Sequence, residues 1–96
     1  MRRDEVLRLL REHHADLDRF GVKSLALFGS MARDEASPES DVDVLVEFRG
    51  TATFDHYMGL LLFLEDLLSR KVDLVTQGAV KPRLQPYVEK DLIRVA

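Results

Sequence analysis

The 96 residues fit a single domain spanning 1–96, with no room for a second independent core. Hydrophobic residues at 46% and charged residues at 32% exclude the composition of a disordered chain, and 14 Lys and Arg against 17 Asp and Glu leave a net charge of −3. That balance argues against direct nucleic-acid binding, and the absence of cysteine excludes disulfides, thiolate metal sites and cysteine nucleophiles.

The start, Met1-Arg2-Arg3-Asp4-Glu5, is basic but runs into a charged amphipathic pattern unlike a signal peptide. Apolar residues at Val6, Leu9, Leu10, Leu17 and Phe20 predict a helix from about Asp4 to Phe20, capped by Gly21. Lys23 to Phe28 reads as a strand stopped by Gly29-Ser30, with Ser30 capping a brief helix through Arg33. Asp34 to Ser40 is turn chemistry, and Val42 to Phe48 alternates as a second strand.

Gly50 to Thr53 opens a long helix from about Phe54 to Ser69, apolar over more than one face and so partly core, partly interface. Its apolar run from Tyr57 to Leu64 is too short to span a bilayer, so no membrane is expected and a cytoplasmic location is. Arg70 to Thr76 supplies a third strand, ended at Gly78. From Lys81 to Lys90 a short helix starts on a proline, and Leu92 to Val95 adds an edge strand. The order predicts an α/β (α+β) domain: a small mixed β-sheet packed by helices.

The chemistry lies in the spacing. In a strand, residues two apart point the same way, which puts the carboxylates of Asp41 and Asp43 on one face about 6 to 7 Å apart. Their repulsion, roughly 2 to 3 kcal/mol at an effective dielectric near 20, is relieved by a cation. Oxygen ligands without Cys or His select a hard ion: Mg²⁺, with Mn²⁺ able to replace it. Asp73, between Val72 and Leu74, joins them if its strand pairs beside theirs. Three such carboxylates suit two metal ions and nucleotidyl transfer. Gly29 lets backbone N–H groups approach a phosphate, Ser30 adds a hydroxyl, and Arg33 brings a fork one helical turn on.

Gly29-Ser30, ten intervening residues, Asp41-Val42-Asp43 and a later Asp73 in a strand together resemble the DNA polymerase β-like nucleotidyltransferase superfamily. The chain is most similar to its minimal nucleotidyltransferase (MNT) family, through Gly29 to Arg33, Ser40 to Asp43, Lys71 to Thr76 and Lys81 to Leu84. The resemblance implies the polymerase β-like fold, with Asp41, Asp43 and Asp73 as catalytic metal ligands and Asp73 also activating the acceptor. It implies further that Gly29, Ser30 and Arg33 bind ATP. Asp34 departs from the family pattern, where many members have glycine after the arginine.

Taken singly, each piece has a plainer reading. Gly29-Ser30 is also a strand-ending turn, Asp41-x-Asp43 an edge strand or capped loop, and Arg33 a surface ion pair with Asp34 or Glu35. His13, His14 and His56 lack metal-ligand spacing, and Lys81, Arg83 and Lys90 read as a solvated basic face. A chain this short carries no acceptor domain, and MNT proteins often pair with a HEPN-domain ribonuclease toxin. The expectation is therefore an antitoxin that moves AMP from ATP to a tyrosine hydroxyl of that partner. A purely steric antitoxin and transfer to a small molecule are the alternatives.

Overall fold

The computed structural model of the chain describes residues 2–37, 40–79 and 82–95. The expected first helix is two: α1, Arg3–Glu12, and α2, His14–Arg19. The break falls at His13, whose Nδ1 lies 2.8 Å from the Leu9 carbonyl oxygen. Its backbone N–H reaches back only three residues, to Leu10 at 3.3 Å, so a side chain competing for the helical carbonyl interrupts the repeat. Gly21 follows α2 at φ +77°, the left-handed turn that glycine allows.

Strand β1, Val22–Phe28, leads directly into the single helical turn α3, Gly29–Ala32. The residue that opens α3 is Phe28, with no side-chain cap, so Ser30 lies inside the turn and does not cap it. Strand β2 is Val42–Phe48, and helix α4, Phe54–Leu68, starts where the Thr53 side chain accepts the His56 N–H at 3.1 Å. Ser69 ends α4 at φ +52°.

Strand β3, Val72–Thr76, begins two residues later than the sequence pattern predicts and runs into a 3₁₀ turn, Gln77–Ala79. The expected proline-led helix is a second 3₁₀ turn, Pro82–Leu84, followed by α5, Gln85–Lys90. The edge strand is present as β4, Ile93–Arg94. Lys81, and Pro38 and Glu39 of the expected turn, lie outside the described residues.

The sheet is mixed, in the order β3-β2-β1-β4: β1 pairs antiparallel with β2 and β4, whereas β2 and β3 run parallel. Val42, Val44, Val46 and Phe48 of β2, with Val72 and Leu74 of β3, pack on Val6 and Leu10 of α1, Leu17 of α2 and Leu60, Leu64 and Leu68 of α4. Val22 and Leu25 of β1 share this core although they are three positions apart, an odd offset, because the β1–β2 register shifts between Val22 and Ser24. Alternation then turns Asp43, Leu45 and Glu47 of β2 and Asp73 of β3 to the opposite face. Among the described residues no polar or charged residue is buried, so the carboxylates stay at the surface. No described helix is long and apolar enough to cross a membrane.

Candidate active site

Asp43 occupies the second position of a central strand and has a defined neighbour on either side. It pairs with Phe28, the last residue of β1, across the antiparallel ladder and with Asp73 across the parallel one. Adjacent strands lie about 4.8 Å apart, so the two carboxylates leave the same face as immediate neighbours. Asp41 stands one residue ahead of β2 and is exposed. The pairing with β3 begins right beside it, where the Val42 N–H donates to the Lys71 carbonyl at 2.9 Å.

The turn after β1 closes over Asp43. Gly29 takes φ +69°, and a Cβ built on it would collide with Oδ2 of Asp43 and lie 3.1 Å from its Cγ. Only glycine combines that backbone angle with that proximity. The sequence thus requires Gly29 for two separate reasons, and both place a backbone turn against a carboxylate. Ser30 is partly buried in the first turn of α3, and its carbonyl accepts the Glu35 N–H at 2.8 Å.

The electrostatics follow from this crowding. The Asp43 carboxyl is held above the ordinary aspartate range, first by partial burial, then by the negative charges of Asp73 and Asp41, while Arg33 opposes the shift. Asp73 and Asp41 thus both act on Asp43, and the charge of Arg33 only partly offsets them. Among the described residues no three His, Asp or Glu side chains are gathered closely enough to enclose a metal ion by themselves. That donor set suits Mg²⁺, which takes one or two carboxylates and completes its shell with substrate phosphates and water.

Arg33 is near enough to influence Asp43 but is engaged elsewhere. Its Nε donates to Glu35 at 3.1 Å and its Nη1 to Asp91 at 3.0 Å, and these two hydrogen bonds, Asp91 first, raise its pKa further. The Glu35 pairing matches one of the sequence alternatives. Asp34 instead accepts the Arg3 backbone N–H at 3.1 Å and lies 4.0 Å from the Arg2 guanidinium. At φ +59°, Asp34 adopts the left-handed backbone that glycine favours and aspartate tolerates. The departure from glycine at this position therefore preserves the turn. Asp91 carries no signal in the sequence: it is 58 residues from Arg33 and is brought near because β4 pairs with β1.

With this geometry in place, the comparisons with known proteins define the class. The model of the nucleotidyltransferase domain family matches residues 7–95, a span that contains Gly29, Ser30, Asp41, Asp43 and Asp73. The chain belongs to the nucleotidyltransferase domain family, as one of its minimal members, and is a nucleotidyltransferase.

Among individual proteins, it is similar to MJ0128 of Methanocaldococcus jannaschii, provisionally named a protein adenylyltransferase, at 45% identity over 93 residues and 95% of each chain. It is also similar to the protein adenylyltransferase MntA of Thermococcus cleftensis, at 36% identity over 93 residues, 96% of this chain and 94% of that one. A solved structure provisionally described as a minimal nucleotidyltransferase superposes with a TM-score of 0.82 at 39% identity, covering 97% of this chain and 95% of the other. Two complexes share the fold at lower identity. One is a toxin–antitoxin pair with AMP-PNP, at TM-score 0.70 and 22% identity, covering 100% of this chain and 73% of that one. The other is a tri-AMPylated Shewanella oneidensis HEPN toxin with its MNT antitoxin, at TM-score 0.66 and 20% identity, covering 94% and 71%.

Proposed function

We propose that residues 1–96 form a single minimal nucleotidyltransferase domain that transfers AMP from ATP to a tyrosine hydroxyl of a HEPN-domain ribonuclease toxin, and so acts as its antitoxin. One observation carries the chemistry: Asp43 sits in register with Asp73 on one side and against the Gly29 turn on the other. The names of full-length relatives support protein adenylylation, and the HEPN complex of similar fold supports the kind of partner.

In this reading Asp41, Asp43 and Asp73 hold two Mg²⁺ ions, with Mn²⁺ able to replace them. Bound there, Mg²⁺ neutralises triphosphate charge and makes the acceptor hydroxyl more acidic. The Gly29 backbone and the Ser30 hydroxyl donate to phosphate oxygens, and Arg33 adds its charge beside them. Asp73, exposed on the outer strand β3, faces an incoming hydroxyl and takes its proton. The acceptor oxygen forms a bond to the α-phosphorus, the bridging bond to the β-phosphate breaks, and pyrophosphate leaves. The AMP ester adds bulk and negative charge to the toxin.

Incubation with α-labelled ATP, Mg²⁺ and the product of its neighbouring gene, on this proposal a HEPN toxin, tests the reading. Label moves to the toxin with the native chain and not with Asp43→Asn; a toxin that stays unlabelled overturns the reading.

A steric antitoxin is favoured by one feature, the exposure of Phe54 (76%) and Leu62 (60%) on α4. If a folded chain with Asp41, Asp43 and Asp73 all replaced by alanine still protects cells from the toxin, cover rather than chemistry neutralises it.

A further inference from the structure

Asp41 lies just outside β2, exposed, and its own side chain makes no hydrogen bond with the described residues. What holds it is the backbone on either side, and both sides are held by the segment that enters β3. Arg70 donates from Nη2 to the carbonyl of Ser37 and, at 3.2 Å, to the carbonyl of Ser40. The next residue, Lys71, accepts the Val42 N–H on its carbonyl at 2.9 Å. Residues 40 and 42, the two neighbours of Asp41, are thus fastened to residues 70 and 71.

The rest of the arrangement is consistent with a built clamp. Ser37 and Ser40 are bonded directly to each other, with the Ser40 N–H on the Ser37 carbonyl at 3.1 Å, the Ser37 N–H on Oγ of Ser40 at 3.1 Å and the two hydroxyl oxygens 2.9 Å apart. The acceptors offered to Arg70 are neutral carbonyls and both bonds leave Nη2, so the side chain acts as a double donor from one nitrogen and not as one half of an ion pair. On the far side, Oε2 of Glu65 accepts the Val72 N–H at 3.1 Å and ties the same entry segment to α4. The clamp therefore runs from α4 through the start of β3 to the backbone around Asp41.

We propose that Arg70 is a positioning residue for Asp41: its two bonds from Nη2 to the Ser37 and Ser40 carbonyls set the backbone from which Asp41 reaches a divalent cation. The inference rests on the reading of Asp41 as a metal ligand, but its first consequence does not. Lysine keeps the charge and its donors but carries them on a shorter side chain that places the nitrogen differently, so Arg70→Lys retains part of the clamp and Arg70→Ala none.

Two readouts on the full chain decide it. In metal-free protein, NMR relaxation and amide exchange of Ser37 and of residues 40–42 show increased mobility in Arg70→Ala and an intermediate value in Arg70→Lys, while the amides of α4 stay protected. In the second arm, Mn²⁺ alone is titrated by electron paramagnetic resonance, and Arg70→Ala weakens its binding by about tenfold, the lower range for residues that orient metal ligands. Ser37 and residues 40–42 as rigid in Arg70→Ala as in the native chain overturn the clamp, whatever the enzyme does. Increased mobility with unchanged Mn²⁺ affinity overturns its link to Asp41, and a native chain that binds no Mn²⁺ overturns the metal-ligand reading on which that link rests.

Discussion

Gly29 and Asp43 are the pair on which the site geometry turns. Alanine at Gly29 costs about 1–2 kcal/mol for the left-handed backbone, and its Cβ displaces the Asp43 carboxylate. Gly29→Ala is therefore expected to remain folded but to lose about 100-fold in AMP transfer, the scale on which misplacement of a reacting group acts. Parallel thermal melts and label-transfer rates check this; equal losses in both would contradict it.

Asp43 also gives a pH signature. Its carboxyl pKa is raised in the folded chain, so the stability it contributes is full below the ordinary aspartate value and is lost as pH rises through the raised one. In chelator at pH 7, Asp43→Asn should melt above the native chain, and the gap should close as pH falls below the ordinary aspartate range. The sequence indicated that Asp41 acts on Asp43, but by strand alternation, whereas Asp41 stands one residue ahead of β2, exposed, and only Asp43 lies in the strand. It gave no sign of which residue would be most perturbed, since that depends on Asp73 across the ladder and on burial.

At the scale of elements, most of the fold was legible. Thr53 capping α4, Gly21 after α2 and the valine alternation of β2 all follow from chemistry within a few residues. The break at His13 was not legible, because the apolar spacing continues across it and only a side chain on the Leu9 carbonyl interrupts the helix. Ser30 was misread as a cap because the helical turn starts one residue earlier, at Gly29.

Helix α4 was expected to be part core and part interface; its residues divide into a buried face and an exposed one. Leu64 is fully buried, and Leu64→Ala is expected to cost about 2–5 kcal/mol. Leu62 is 60% exposed, and Leu62→Ser should change stability by no more than about 0.5 kcal/mol. Urea unfolding of the two variants separates the faces. A large loss for Leu62→Ser would mean that its side chain is covered in the free protein.

For the whole molecule, the decisive information is strand order. The parallel pairing of β2 with β3 brings Asp73 beside Asp43, and the pairing of β4 with β1 brings Asp91 to Arg33. Sequence supplied the first only as a condition, through the resemblance and the placement of Asp73 in a strand. It supplied nothing for the second, because contacts 58 residues apart leave no local pattern. Family membership rests on nearly the full chain, residues 7–95, and the chemistry on a handful of side chains at one end of the sheet.

The most direct measurement is anomalous diffraction from crystals grown with Mn²⁺ and a non-hydrolysable ATP analogue. The account predicts Mn²⁺ with carboxylate oxygens of Asp41 and Asp43 in its coordination sphere and the triphosphate against the Gly29 turn. Bound nucleotide whose metal avoids both aspartates would contradict it.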